Sequence, residues 1–226
     1  MRKIGFLVAS ILTSFSGFSQ ELVNPNFGLA SHPMKIKKIS NTVNETIFEL
    51  AIENQSETGS FCADRNIFVQ DVLTGKKYHL NRSEGIPVCP SNYQFNYVGE
   101  VLIFKLYFPK IETTKYLTLI EDCNQYCFSI KGIILNEEMN QSINSGYNYY
   151  AKGMPNFALE AYKTAINKHP DYPFGLHYLN IIQIYAEQND FVSAKKWYNK
   201  IVNSEFQDKK ELIERLRNQS YYNQLL

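Results

Sequence analysis

Two stretches of this chain carry the same kinds of small and aromatic residues at matching intervals, and that pattern limits the fold more than anything else in the sequence. In the first, Gly146, Tyr149, Ala158, Tyr162, Ala165 and Pro170 are separated by 3, 9, 4, 3 and 5 residues. In the second, Tyr185, Ala194, Tyr198 and Ile201 stand 36 residues after Tyr149, Ala158, Tyr162 and Ala165, with Tyr178 and Ile181 ahead of them. Small residues so placed let two antiparallel helices touch, and aromatic residues fill the gap between one helix pair and the next. The last third of the chain is therefore expected to be a stack of helices.

The helices follow from the flanking signals. Asn136 is a good N-cap, and Glu137 and Glu138 suit the positive end of a helix over 137–152. Further helices are expected over 156–168, 174–187 and 191–203, with a loop punctuated by Pro170 and Pro173 between the pairs. Asp208 and Glu211 make a capping-box-like start for a fifth helix, whose Leu212, Ile213 and Leu216 would cover the open end of the stack.

The spacing resembles the tetratricopeptide repeat (TPR). There are departures: Ala158 and Ala194 are 36 residues apart, Ile182 stands in the place of the repeat's glycine and Phe206 in that of its proline, and Ser142 and Ser145 replace large apolar residues. The resemblance implies an interaction module that binds a protein or peptide along a concave face built from the first helix of each pair. Carried over by position, that face presents Asn140, Ile143, Tyr147, Tyr150 and Ala151, then Leu176, Leu179, Gln183 and Glu187. The lysine and asparagine set that grips a terminal carboxylate in chaperone-binding members is absent. The alternative is that Tyr147 and Tyr150 pack against the first half of the chain.

That first half has the periodicity of strands. Phe48, Leu50 and Ile52 alternate with Glu49, Ala51 and Glu53, and Leu102, Phe104, Leu106 and Phe108 alternate with Ile103, Lys105 and Tyr107 before Pro109. Other strands are expected over 34–40, 66–72, 77–80, 116–121 and 126–135, the last with a bulge at Gly132, where the inward set changes phase. Short strands separated by Asn, Gly, Ser and Pro clusters predict an antiparallel immunoglobulin-like β-sandwich over 20–136, followed by the helical domain over 137–226, an α+β multidomain chain. This part also resembles uncharacterised domains of exported bacterial proteins, through Tyr78, Leu80, Glu84 to Pro87, the Phe104 to Ile111 segment, Leu119 to Glu121, and Gly132, Ile133 and Leu135. That likeness implies no activity.

Residues 1–19 have the three-part layout of a secretory signal peptide: Arg2 and Lys3, an apolar run from Ile4 to Leu12, and a small-residue end at Gly17 and Ser19. The mature chain would begin at Gln20; an uncleaved membrane anchor is the alternative. No cysteine sits at the cut, which argues against a lipid anchor. No later segment approaches the roughly 18 apolar residues of a membrane span. An exported protein is expected, in the periplasm, on the outer surface or secreted.

Cys62, Cys89, Cys123 and Cys127 all lie in the strand-rich part, and an even set of cysteines behind an export signal points to disulfides. Four cysteines allow three pairings. Cys62 with Cys89 and Cys123 with Cys127 is favoured, since the second pair flanks Asn124, Gln125 and Tyr126 at a hairpin tip. Zinc is disfavoured because two-residue cysteine spacings are missing and no histidine is near.

Charge excludes another class. Residues 20–136 hold 11 basic and 12 acidic residues, and 137–226 hold 10 of each, so neither part has the basic excess that a nucleic-acid binder needs. His32, His79, His169 and His177 form no metal-binding helix pair, no serine sits in a nucleophile elbow, and no glycine-rich phosphate loop follows a strand. His169, Asp171 and His177 form the nearest thing to a metal set but fall in an interhelix loop region. Glu121 and Asp122 suit a solvated strand-end turn better than calcium. The expectation is thus a non-enzymatic interaction or scaffold module, with no metal or cofactor. The alternative is a ligand-binding sandwich, for carbohydrate, with Tyr93, Phe95 and Tyr97 lining its surface.

Overall fold

A computed structural model describes residues 20–226; the expected leader, Met1 to Ser19, lies outside the described residues. Among the described residues twelve strands come first: β1 (Gln20–Val23), β2 (Leu29–Ala30), β3 (Met34–Asn41), β4 (Glu45–Glu53), β5 (Ser60–Phe61) and β6 (Ile67–Asp71). They continue with β7 (Lys77–His79), β8 (Arg82–Glu84), β9 (Tyr93–Gln94), β10 (Val101–Pro109), β11 (Tyr116–Glu121) and β12 (Ser129–Ile134). Five α-helices follow: α1 (Glu137–Ala151), α2 (Pro155–Lys168), α3 (Leu176–Glu187), α4 (Phe191–Val202) and α5 (Lys209–Arg217), then a short 3-10 turn over Tyr222–Leu225. The protein is α+β, with its sheets antiparallel.

One sheet has the order β1-β3-β4-β10-β8 and the other β2-β12-β11-β6-β7, while β5 and β9 pair separately. The long central pair sets Phe48 opposite Leu106 and Leu50 opposite Phe104. These side chains point inward and are fully buried against Ile67, Val69, Leu117 and Leu119 of the second sheet, so one apolar core serves both inner faces. On the outer face of the first sheet Tyr107 lies under Arg82, whose guanidinium sits 3.6 Å from the ring centre, and donates its hydroxyl to Glu84 at 2.6 Å. That contact explains why Tyr107, on an outward position, is buried.

The second sheet is covered on both faces. Leu117, Leu119, Ile130 and Ile133 belong to the core between the sheets, whereas Tyr116 and Ile134 belong to the helical core. This is why β11, YLTLIE, reads as a near-continuous apolar run and not as alternation. Gly132 adopts φ +69°, and between the pairs Leu117–Ile133 and Leu119–Ile130 strand β12 carries one residue more than β11. A bulge therefore sits at the expected place. It has a second purpose: the ring of Phe174 lies so close that a Cβ at Gly132 would be 2.6 Å from it.

The helices stack as antiparallel neighbours. Tyr149 meets Phe157 at 5.5 Å across the α1–α2 turn, while Glu138 pairs with Lys168 at the opposite end. At the centre Gly146 lets the Tyr162 ring against the α1 backbone, where a Cβ would come within 2.5 Å. Asn136 caps α1 by accepting the Met139 N–H at 2.7 Å, and Asp190 caps α4 by accepting that of Ser193 at 3.0 Å. Two expectations need correction. Helix α3 begins at Leu176 and not at residue 174, because Phe174 is drawn down onto Gly28 and Gly132. Asp208 precedes α5 but does not cap it through its side chain; it accepts the Gly175 N–H at 2.9 and 3.2 Å, tying the start of α5 to the start of α3. Among the described residues no helix is long and apolar enough to cross a membrane.

Candidate functional site

Helices α1 and α3 lie side by side, and their adjoining surface is the face on which the sequence placed partner-binding residues. The structure divides α1 in two. Near its start, Asn140 and Ile143 are buried, which corrects their assignment to an open face. The Asn140 amide oxygen accepts from the Asn26 backbone at 2.7 Å and side chain at 3.0 Å, and its amide nitrogen donates to the Ile134 carbonyl at 2.8 Å and that of Asn136 at 3.0 Å. A polar side chain this buried is kept because every bond it can make is made. Its work is to fasten α1 to the second sheet.

Two turns further on, α1 is open. Tyr147 and Tyr150 remain 40% and 37% exposed. The Tyr150 hydroxyl donates to Glu187 at 2.7 Å and accepts from Gln183 at 3.1 Å, and Gln183 donates also to Glu187 at 2.8 Å. Asn180 donates to the Tyr147 hydroxyl at 3.4 Å, and the Tyr147 ring stands edge-on to Tyr162 at 5.6 Å. The hydrogen bond to Glu187, with some burial, pushes the Tyr150 hydroxyl above the usual tyrosine range. The two rings are thus held in place by α3 while one side of each faces water.

The surface continues into a hollow of about 360 Å³ between α3 and α5, floored by Leu176, Leu179 and Leu216 and rimmed by Arg215, Gln219 and Tyr221. Asn180 and Gln183 belong to both parts. Asn180 was missed by the positional transfer, although 180, 183 and 187 fall at helical spacing on one face. Arg215 and Tyr221 had no such signal, since their approach depends on how α5 folds back. Ala151 is exposed at the end of α1.

The other sites separate. Asp171 pairs with Lys115 at 2.7 Å and accepts from Tyr116 at 3.1 Å, so its carboxylate is held low. His177 is fully buried on α3 between the rings of Tyr162 and Tyr172, at 6.4 and 6.1 Å, with both ring nitrogens unpartnered. Among the described residues no group of three His, Cys, Asp or Glu side chains stands close enough to hold a metal ion. Glu121 is not a solvated turn residue: it is buried and accepts the N–H groups of Asp64 at 2.8 Å and Phe128 at 3.1 Å. Desolvation nevertheless raises its carboxyl above the usual range. The aromatic surface expected from Tyr93, Phe95 and Tyr97 does not form either. Phe95 is core, Tyr93 packs on that core and donates to Glu100 at 2.6 Å, and Tyr97 alone is exposed.

Disulfides join Cys62 to Cys89 and Cys123 to Cys127, and among the described residues no cysteine is free. Such bonds fit an oxidising, exported location. No protein-family model, no curated protein and no solved structure matches this chain.

Proposed function

We propose that this is an exported, non-enzymatic interaction module that holds a partner protein or peptide on the open half of the α1–α3 face, with TPR-like helices braced on an immunoglobulin-like β-sandwich. The observation that carries the reading is the pair Tyr147 and Tyr150, positioned by Asn180, Gln183 and Glu187 yet left facing water. Tyrosine offers a large contact area at small entropic cost, and rings already held by hydrogen bonds lose little more on binding. The face mixes apolar rings, amides and a single carboxylate at Glu187, so affinity should rest on shape and apolar contact more than on charge.

The test is a double replacement, Tyr147→Ala with Tyr150→Ala, assayed by cross-linking from a photoreactive group at Ala151, exposed at the end of α1, in the cell envelope. The expected result is one dominant cross-linked species, weakened by about 2 kcal/mol or more in the double variant. A partner captured equally well by the folded double variant would remove this face from consideration.

A further inference from the structure

A cleft of about 720 Å³ opens at the end of the β region that carries both disulfides, far in sequence from the helical face. That size falls within the roughly 300–1,000 Å³ of small-molecule sites. Its walls come from separate stretches: His32 and Pro33 before β3, the end of β4 with the turn after it, β5 and the residues to Asp64, the turn at Cys89 to Asn92, and the Cys123 to Tyr126 loop.

The walls are built to stay where they are. Cys62–Cys89 joins two of them across a separation of 27 residues, and Cys123–Cys127 closes the tip of a third. The buried Asn54 donates to the Ser56 carbonyl at 2.7 Å and to that of Tyr97 at 2.8 Å, and Gly59 sits so close behind it that a Cβ there would be 2.0 Å from its amide oxygen. Phe61 anchors β5 on Phe104 and Phe128 at 6.0 and 5.7 Å. Glu121 ties the Asp64 wall to the base of the Cys123 loop through its two backbone bonds. Loops fixed in this way bind with little ordering cost.

What the walls present is specific in chemistry. Gln55, Asn124 and Gln125 are exposed amides, and Glu53 and Asp64 bring carboxylate oxygens. Tyr126 is 89% exposed and has φ +58°, a left-handed conformation that a bulky residue seldom adopts. A ring so exposed gains nothing from core packing. Among the described residues no lysine or arginine lines the cleft. An anionic ligand would meet the Glu53 and Asp64 carboxylates with no lysine or arginine to compensate, and His32 as the one imidazole on the wall, and would be repelled. Hydroxyl groups suit the lining, because each can donate to a carboxylate or amide oxygen and accept from an amide nitrogen. The Tyr126 face adds a flat apolar platform for the C–H side of a sugar ring.

We propose that this cleft binds a neutral oligosaccharide, with a sugar ring on Tyr126 and its hydroxyls paired to Asn124, Gln125 and Glu53. The experiment uses the disulfide-bonded mature protein on an array of neutral, sulfated and carboxylated oligosaccharides, followed by calorimetry with the best binder. The expected result is retention of a neutral glycan, weakened about tenfold or more by Tyr126→Ala, restored by Tyr126→Phe, and unchanged between about 0.05 and 0.5 M salt. Thermal unfolding should be the same in all three proteins, since the ring touches no core; Asn124→Ala with Gln125→Ala supplies a second loss of binding should Tyr126→Ala fail to fold. Retention of sulfated or carboxylated glycans alone, an array blank for neutral glycans, or equal affinity in the folded Tyr126→Ala protein would each overturn the assignment. So would binding of an oligolysine peptide that replaces the glycan and vanishes in salt, which would make the cleft a cation site.

Discussion

The β region and the helical region are consolidated by different means. Between the sheets the core is aliphatic and aromatic, its polar buried residues lie at strand ends and loops, and two disulfides close its loops. The helical core has no cysteine, encloses His177, and is completed by side chains it does not own: Tyr116 and Ile134 come from the second sheet. In return the helices cover that sheet's outer face, with the Tyr172 hydroxyl donating to the Gly132 carbonyl at 2.7 Å and Phe174 seated on Gly28 and Gly132. The β region thus carries its cross-links within itself. The helical region shares its core with its neighbour and buries His169, His177 and Asp208.

Removing the joint should have the largest effect. Phe174 is buried at 1% exposure against two glycines that leave no other side chain to fill its place. Phe174→Ala should cost about 3–5 kcal/mol, by loss of transfer energy and by the cavity left behind. Chemical unfolding followed by circular dichroism should show the helical signal melting before the β region. A helical transition shifted by less than about 1 kcal/mol would mean that the two regions do not lean on each other.

Opening the longer disulfide comes next. Cys62→Ser with Cys89→Ser frees a loop closed across 27 residues, which should cost about 3 kcal/mol. The loss should fall on the β region first, and reductant should reproduce it. Equal melting of the oxidised and reduced proteins would break the contrast with the cysteine-free helices.

The pH dependence is the smallest effect and the sharpest comparison within the helical core. Burial depresses His177 to about 4 from its ordinary 6.5, so the unfolded chain takes up a proton first as pH falls below 6.5 and stability is lost towards pH 4. His169, lowered by the same cause, acts in the same direction. Asp208 works the other way: burial raises it to about 6 from 3.8, so its contribution is present in full below 3.8 and lost as pH rises through 6. At pH 5 the shift of His177 corresponds to about 2 kcal/mol lost and that of Asp208 to about 1 kcal/mol gained. The helical region should therefore weaken only modestly from pH 7 to 5, with His177→Phe removing the loss and Asp208→Asn exposing it in full. Identical melting curves of wild type and Asp208→Asn at pH 5 and 7 would show that the two groups do not oppose each other.

Much of the scaffold is legible in the chain. Alternation at Phe48 to Ile52 and Leu102 to Phe108 locates the paired central strands, and the phase change at Gly132 locates the bulge. Asn136 marks where the first helix begins. Strands β1, β2 and β8 carry no periodic signal, since each is short and gains its place from pairing with a longer neighbour. At the candidate face, transfer by repeat position points to Tyr147, Tyr150 and Gln183, but it points equally to Asn140 and Ile143, because such a resemblance identifies a side of a helix and not what lies against each turn of it.

That division has one physical cause. Residue order by itself determines the local conformational preferences and which face of each element is apolar, because these follow from backbone sterics, capping and spacing over a few residues. It therefore determined a strand-rich first part that holds all four cysteines and a helical last third. Tertiary structure alone decided that α1 is fastened at Asn140 and open at Tyr147, that Asp208 serves α3 and not its own helix, and that Glu121 is a buried clamp. Each of these rests on groups brought together from distant parts of the chain, across separations of 114, 33 and 57 residues. Whether a polar side chain faces water or a backbone N–H is settled only when those distant segments pack, because burial without a partner is what costs free energy.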